Sequence, residues 1–187
     1  MEPAESQCAA IQLGLLRFPD EGQVIRGRRG NVKPYLLDTR GAVSNLPLRT
    51  LIVDQLSKNL GIFPSCEVVA GIAKSGTIWG AWLAWAKGFP FANVLIDGPR
   101  ESGLKREVEG EVSGRKVILV DNWVRTGESL QKAKAVCEQN GAVVLGAISI
   151  SINSGLNLDM RVQAVWEIDD LVQTAFRLGL TKTLRKE

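Results

Sequence analysis

The chain has 187 residues, 45% hydrophobic and 23% charged, with a formal net charge of +3. That is about one domain's worth of chain at roughly 100–200 residues per domain. The composition excludes a disordered segment, and the mild charge demands neither nucleic acid nor a membrane surface as partner.

Histidine is absent. This excludes Ser-His and Cys-His nucleophiles, HExxH metalloproteases and His-containing zinc fingers. Acid–base chemistry is left to carboxylates, Lys, Tyr or the substrate itself. Cys8, Cys66 and Cys137 are odd in number and far apart, so we expect free thiols in a reducing cytoplasm. Glu2 and Glu5 precede the first basic residue, Arg17, which is the wrong start for a secretory signal. The apolar run from Ala142 to Ile148 is too short for a bilayer, which takes about 20 residues.

Along the chain, Ala9, Ile11, Leu13, Leu15 and Leu16 form a weak helical pattern, broken by Phe18-Pro19-Asp20. Arg26, Arg28, Arg29 and Lys33 follow as a basic segment, and Pro34 to Arg40 reads as a short strand. Asn45 to Leu60 reads as a helix with Leu48, Leu51, Ile52, Leu56 and Leu60 on one face, stopped by Gly61. The rhythm then becomes β-α-β-α. Val68 to Ala70 is a strand, Gly71 to Gly76 a loop, Thr77 to Lys87 a helix ended by Gly88, and Ala92 to Ile96 a strand. Asp97 to Arg106 is polar and expected to be mobile. Lys116 to Val120 is apolar without alternation and reads as a buried strand. Residues 127–140 form a helix with Leu130, Ala133, Val136 and Cys137 inward. Strands over Val143–Ile152 and Val162–Ile168 and a helix over Asp169–Leu178 complete the chain. The expectation is an α/β fold in one domain over 1–187. Its parallel sheet is flanked by helices, and a small N-terminal segment lies beside the site.

In such sheets ligands bind beyond the carboxyl ends of the strands. Two strand-to-helix loops stand out there. In Val117 to Leu130, a buried strand ends in Asp121 and Asn122, and a short loop then supplies Thr126, Gly127 and Ser129 at a helix start. Free N–H groups, a positive helix end and two hydroxyls suit a phosphate monoester, while Asp121 and Asn122 suit a diol. The plain alternative is a polar strand end with Thr126 as N-cap. The second loop, Gly71 to Gly76, nearly imitates a P-loop, but Thr77 stands where its Lys is required. Its glycines, Lys74 and exposed amides suit a second phosphate group.

The order and spacing of these segments resemble the type I phosphoribosyltransferases, most closely the orotate phosphoribosyltransferases. Val117 to Leu130 is similar to the family signature for phosphoribosyl pyrophosphate, Lys33 to Arg40 to its Ser-Pro-Tyr segment, and Val69 to Gly76 to its pyrophosphate loop. Pro99 to Gly110 is similar to its flexible loop, and Gly141–Gly146 and Trp166–Leu171 to its last strands. The resemblance implies transfer of a 5-phosphoribosyl group from phosphoribosyl pyrophosphate to a nitrogen of a small base. It implies Mg²⁺ bound mainly through that donor, no metal ligands on the protein, and a homodimer. By the same resemblance Thr126, Gly127 and Ser129, with Arg125 and Glu128, hold the 5-phosphate, and Asp121 and Asn122 the ribose hydroxyls. Lys74, Ser75, Gly76, Arg28 and Arg100 hold the diphosphate, and Leu36, Trp123 and Asn153 line the base pocket. Asp121, Arg100 and Lys74 are the expected catalytic residues.

Several positions depart from the family pattern. Asn122 replaces a carboxylate, and Arg100 and Ser102 replace a Lys and a His of the flexible loop. Ser75 stands where the pyrophosphate loop carries Lys, Asn153-Ser154 replace the Asp-Arg pair that holds orotate, and Leu36 replaces the aromatic that stacks on it. A base other than orotate is expected. The alternative is a non-catalytic sensor of phosphoribosyl pyrophosphate or a nucleotide; a nucleic-acid partner is not expected. Trp79, Trp82 and Trp85 share a broad helix face and read as core or dimer contact. Trp123 either packs behind the loop, the favoured reading, or stacks on a base.

Overall fold

A computed structural model describes residues 3–20, 22–26, 30–99 and 104–180. In chain order the elements are α1 (Pro3–Gln12), β1 (Leu16–Arg17), β2 (Ile25–Arg26), β3 (Val32–Lys33), β4 (Leu36–Leu37), a 3₁₀ turn (Gly41–Val43), α2 (Leu46–Leu60) and β5 (Val68–Ile72). They continue as α3 (Ser75–Lys87), β6 (Phe91–Val94), β7 (Val108–Glu109), β8 (Lys116–Val124), α4 (Glu128–Gln139), β9 (Val143–Ile152), β10 (Val162–Glu167) and α5 (Ile168–Arg177). Two compact units result: Met1–Ile52 with Ile168–Glu187, and Val53–Glu167. The boundary falls inside α2, whose residues Leu48, Ile52, Leu56 and Leu60 are buried as the periodicity predicts.

In the first unit, α1 packs on α5, and β1 and β2 pair antiparallel with β4 and β3. The expected helix over the first sixteen residues ends at Gln12. Gly14, at φ +91°, turns the chain so that Leu16 enters β1. The expected strand over 34–40 contracts to Leu36–Leu37. Asp38 ends it, accepting the Gly41 N–H at 2.8 Å and pairing with Arg17 Nε at 2.7 Å.

The second unit holds a six-stranded sheet in the order β10-β9-β8-β5-β6-β7, parallel throughout except for β7 against β6. Side chains alternate across a strand, so each strand feeds two layers. Val68, Ala70 and Ile72 of β5, with Val117 and Leu119 of β8, pack with Leu130, Ala133 and Cys137 of α4. On the opposite face, α3 lies directly on β5: a Cβ placed on Gly80 would stand 2.9 Å from the Gly71 Cα. The α/β class with helices on both faces is therefore observed as expected. Burial also pushes the Cys137 thiol up to about 12, and raises that of Cys66. All three cysteines are free.

The three α3 tryptophans separate. Trp79 is 1% exposed and meets Trp82 edge-on at 5.3 Å, but Trp85 is 84% exposed. Each three-residue step on a helix with 3.6 residues per turn drifts about 60°. Two steps carry Trp85 about 120° away from the buried face. The tryptophans therefore do not share one buried surface.

Candidate functional site

The signature strand runs past Asp121 and Asn122, where the sequence ends it, to Val124. Pairing of β8 with β9 runs on through Asp121↔Ser149, Trp123↔Ser151 and Val124↔Ile152, so Asp121, Asn122 and Trp123 lie within the strand. The continuing ladder fixes their directions more firmly than a loop would. Asp121 is 8% exposed and accepts the Asn122 N–H at 2.7 Å. Burial raises its pKa from 3.8 to about 6, opposed by that hydrogen bond and by the Arg125 charge. Gly127, at φ +83°, rather than Thr126, is the N-cap of α4. It is buried against Leu158, and its left-handed backbone suits glycine alone. No side chain caps α4 from that position; Thr126 Oγ1 accepts the Glu128 N–H at a long 3.4 Å. The first turn thus keeps donors for an anion. The Glu128 carboxylate pairs with Lys132 at 2.7 Å along its own helix, and its negative charge does not suit a phosphate ligand.

The expected loop over 71–76 is shorter than its glycines suggest. Gly71 and Ile72 belong to β5, and Ser75 and Gly76 to α3, leaving Ala73 and Lys74 as the linker, joined by a cis peptide. Lys74 is exposed, and no side chain caps α3 from it. Gly76 brings the two segments together. A Cβ there would run into the Val120 carbonyl oxygen and lie 3.1 Å from the Asp121 Cα. The N-terminus of α3 therefore abuts β8 where its acidic residue begins. The α3 start, two adjacent strands and a buried carboxylate meet here, with the α4 start following on β8, an arrangement that suits two anionic groups flanking a polyol.

Trp123 packs rather than standing open as a platform. Its indole Nε1–H donates to Asn153 Oδ1 at 2.9 Å, and the Arg125 guanidinium lies 5.5 Å over its ring. The Asn153 N–H donates to the Val124 carbonyl at 2.9 Å, and Ser154 Oγ donates to Glu167 Oε2 at 2.8 Å. Leu36 lies on β4 in the first unit and is exposed. Arg28, Arg100 and Ser102 lie outside the described residues.

Two groups escaped the sequence reading. Thr77 Oγ1 donates to Asn93 Oδ1 at 2.6 Å, and Asn93 Nδ2 donates to Glu109 Oε2 at 2.8 Å. This chain links the first turn of α3 to β7, where the 97–106 segment rejoins the sheet. The signal was a carboxamide inside the apolar run Ala92-Asn93-Val94. Likewise Ser149 and Ser151 alternate with isoleucines in β9, and their buried hydroxyls find no hydrogen-bond partner among the described residues.

No family model matches the chain. The orotate phosphoribosyltransferase of Streptococcus thermophilus is 35% identical over 123 residues, which are 65% of this chain and 58% of that enzyme. The chain thus spans under two thirds of the length of the curated relatives it matches. The crystal structure of orotate phosphoribosyltransferase from Aeropyrum pernix superposes with a TM-score of 0.71 at 20% identity, over 95% of this chain and 99% of that one. Adenine phosphoribosyltransferase from Leishmania tarentolae superposes with a TM-score of 0.66 at 19% identity, over 93% of both chains. The fold is that of the phosphoribosyltransferases, and over 65% of the chain the sequence is similar to enzymes named for orotate. The same fold carries an enzyme named for adenine, so the fold itself does not choose the base.

Proposed function

We propose that this relative of the orotate phosphoribosyltransferases transfers a 5-phosphoribosyl group from phosphoribosyl pyrophosphate to a ring nitrogen of a small base, releasing diphosphate. One observation carries the reading: through Gly76 the start of α3 abuts Val120–Asp121 of the neighbouring strand β8, and β8 runs on from there to the start of α4. The α4 start, with Thr126, Gly127 and Ser129, holds the 5-phosphate, and Arg125 adds positive charge beside it. Asp121 and Asn122 take the ribose hydroxyls. The α3 start, with Lys74, Ser75 and Gly76, faces the diphosphate, and Arg28 and Arg100 complete its neutralisation by resemblance. Catalysis then rests on positioning and on stabilising charge that grows on the leaving diphosphate.

At this junction Asp121 is the carboxylate, and its neighbours are amides and hydroxyls. That donor set suits Mg²⁺ arriving with the diphosphate, whose oxygens and water make its preferred hard ligands. When bound, the ion neutralises the diphosphate as it departs. A homodimer belongs to the same reading and rests on the resemblance. No helix among the described residues is long and apolar enough to cross a membrane.

The base in this reading is not orotate, because Asn153 and Ser154 stand where an Asp-Arg pair would hold its carboxylate. A second reading keeps the pocket and drops the chemistry, making the protein a sensor of the same donor. Asn122 and Ser75, each in place of a charged group, favour it. Isothermal titration should show Mg²⁺-dependent binding of phosphoribosyl pyrophosphate, weakened at least tenfold in a Thr126→Ala, Ser129→Ala double variant. Unchanged affinity would move the phosphate elsewhere. Turnover with a panel of bases then separates enzyme from sensor.

A further inference from the structure

We infer that Trp123 sets base specificity by fixing Asn153 as a hydrogen-bond donor, so that the ring read here is uncharged and offers a carbonyl oxygen. The inference rests on the phosphoribosyl reading above and narrows its base.

An indole N–H donates and never accepts. Its 2.9 Å bond to Asn153 therefore decides which end of the carboxamide is oxygen: Oδ1 faces Trp123 and Nδ2 faces away. A flipped amide would set donor against donor. Among the described residues Nδ2 has no acceptor, and Asn153 is half-buried rather than sealed. Its own backbone is pinned to Val124 at 2.9 Å. Trp123 is held in turn by the β8–β9 ladder and by Arg125 over its ring. Both members of the pair are thus fixed before a ligand arrives, which spares the cost of ordering them on binding.

The neighbouring position argues against a charged ring. Ser154 spends its hydroxyl proton on Glu167, which sets a carboxylate beside Asn153, while the Arg125 guanidinium is engaged over the Trp123 ring. A ring carboxylate placed there would meet like charge. A ring carbonyl would meet the two free N–H bonds of Nδ2. Trp123 is in this view a positioning residue, acting through Asn153.

The test is equilibrium binding of three probes to the full chain: ribose 5-phosphate, uridine 5′-monophosphate and orotidine 5′-monophosphate. The last two differ only by the ring carboxylate. The parent should bind uridine 5′-monophosphate at least tenfold more tightly than either other probe. Trp123→Phe keeps the ring under Arg125 but removes the N–H; it should lose about tenfold for uridine 5′-monophosphate, the scale of one hydrogen bond. Its ribose 5-phosphate affinity should stay within twofold, which also shows that the variant is folded. Asn153→Asp retains the acceptor for Trp123 and loses the donor, and should lose at least as much. Ribose 5-phosphate bound normally, with either variant unchanged toward uridine 5′-monophosphate, overturns this inference alone. So does a parent that prefers the orotidine nucleotide. A parent that binds none of the three overturns the phosphoribosyl reading and this inference together.

Discussion

The two strand-to-helix junctions of the second unit do related work by different means. From β5 to α3 the contacts are backbone against backbone: Gly71, Gly76 and Gly80 let α3 settle on β5 and β8, and just two residues link strand to helix. From β8 to α4 the side chains supply the polar groups of the candidate site, and glycine is required only at Gly127, for its positive φ. The first junction leaves no room for an added atom. The second tolerates changes of shape but not of polarity. Substitutions at the first should therefore move stability, and those at the second should move affinity and its pH dependence.

The largest effect is expected at Gly76. A methyl there would overlap the Val120 carbonyl, and backbone on both sides has no rotamer to yield. Overpacking of this kind costs roughly 1–3 kcal/mol and occasionally more. With backbone as the obstacle we expect the upper end, about 3 kcal/mol, for Gly76→Ala, which in a chain of this size lowers Tm by about 6–12 °C. Thermal unfolding beside the parent measures it. A melting point within 2 °C of the parent would show that the two junctions are not in the contact described.

Asp121 gives the next effect, and it reverses the usual sign for a carboxylate. Its pKa is higher in the folded chain, about 6 against 3.8, because burial disfavours the charge. Between pH 4 and 6 the folded chain holds more protons than the unfolded one. Stability therefore falls as pH rises through that window and is level with respect to this group above it. A shift of that size corresponds to a loss on the order of 2–3 kcal/mol. Asp121→Asn should flatten this part of the profile and be at least as stable as the parent at pH 7. It should also bind ribose 5-phosphate more weakly, since the charged acceptor for the diol is gone. Denaturant melts at pH 4, 5, 6 and 7 test the first claim, and a variant whose slope matches the parent's would refute it.

The polar chain Thr77–Asn93–Glu109 is the third case, with side chains serving the backbone-built junction. Asn93→Ala removes the acceptor of the part-buried Thr77 hydroxyl and one donor to Glu109. The penalty for unmet buried polar groups is about 1–3 kcal/mol. Chemical denaturation should show it, with the denaturant slope unchanged. Asn93→Asp keeps the acceptor for Thr77 but faces Glu109 with a like charge, and should be no better than Ala. Full stability in either variant would make the chain incidental.

The sequence made the sheet legible because buried parallel strands write apolar runs, as Val117–Val120 and Val143–Ile148 do, and glycines mark the helix ends at Gly61 and Gly88. The helix start at Thr126–Ser129 was legible for a related reason: hydroxyls and glycine there are chemically unusual enough to mark a candidate phosphate site. Boundaries at the site were not legible. Trp123 looks like a loop residue after Asp121-Asn122, yet pairing with β9 draws it into the strand. The short pairs β1–β4 and β2–β3 are set by tertiary contacts, since two residues carry no period. Trp123–Asn153 joins positions 30 apart, and neither residue's neighbours announce the other.

The smallest effect on stability, and the sharpest on the comparison, is expected at Lys74. It is the one charged side chain of the β5–α3 linker, exposed, without a capping role, and with no partner among the described residues. Truncating it removes nothing that holds the junction together. Lys74→Ala should therefore stay within about 0.5 kcal/mol of the parent, the usual range for such surface positions. Under the phosphoribosyl reading its ammonium approaches the diphosphate, and a hydrogen bond to a charged group contributes about 1.5–3 kcal/mol. Phosphoribosyl pyrophosphate affinity should then fall by roughly 10- to 100-fold, while ribose 5-phosphate, which lacks the diphosphate, should bind as before. Titration of both ligands into parent and variant separates the outcomes. An equal loss for both would place Lys74 at the 5-phosphate and exchange the roles of the two junctions. No loss for either would leave the β5–α3 junction as scaffold alone, with the α4 start as the one anion-binding end.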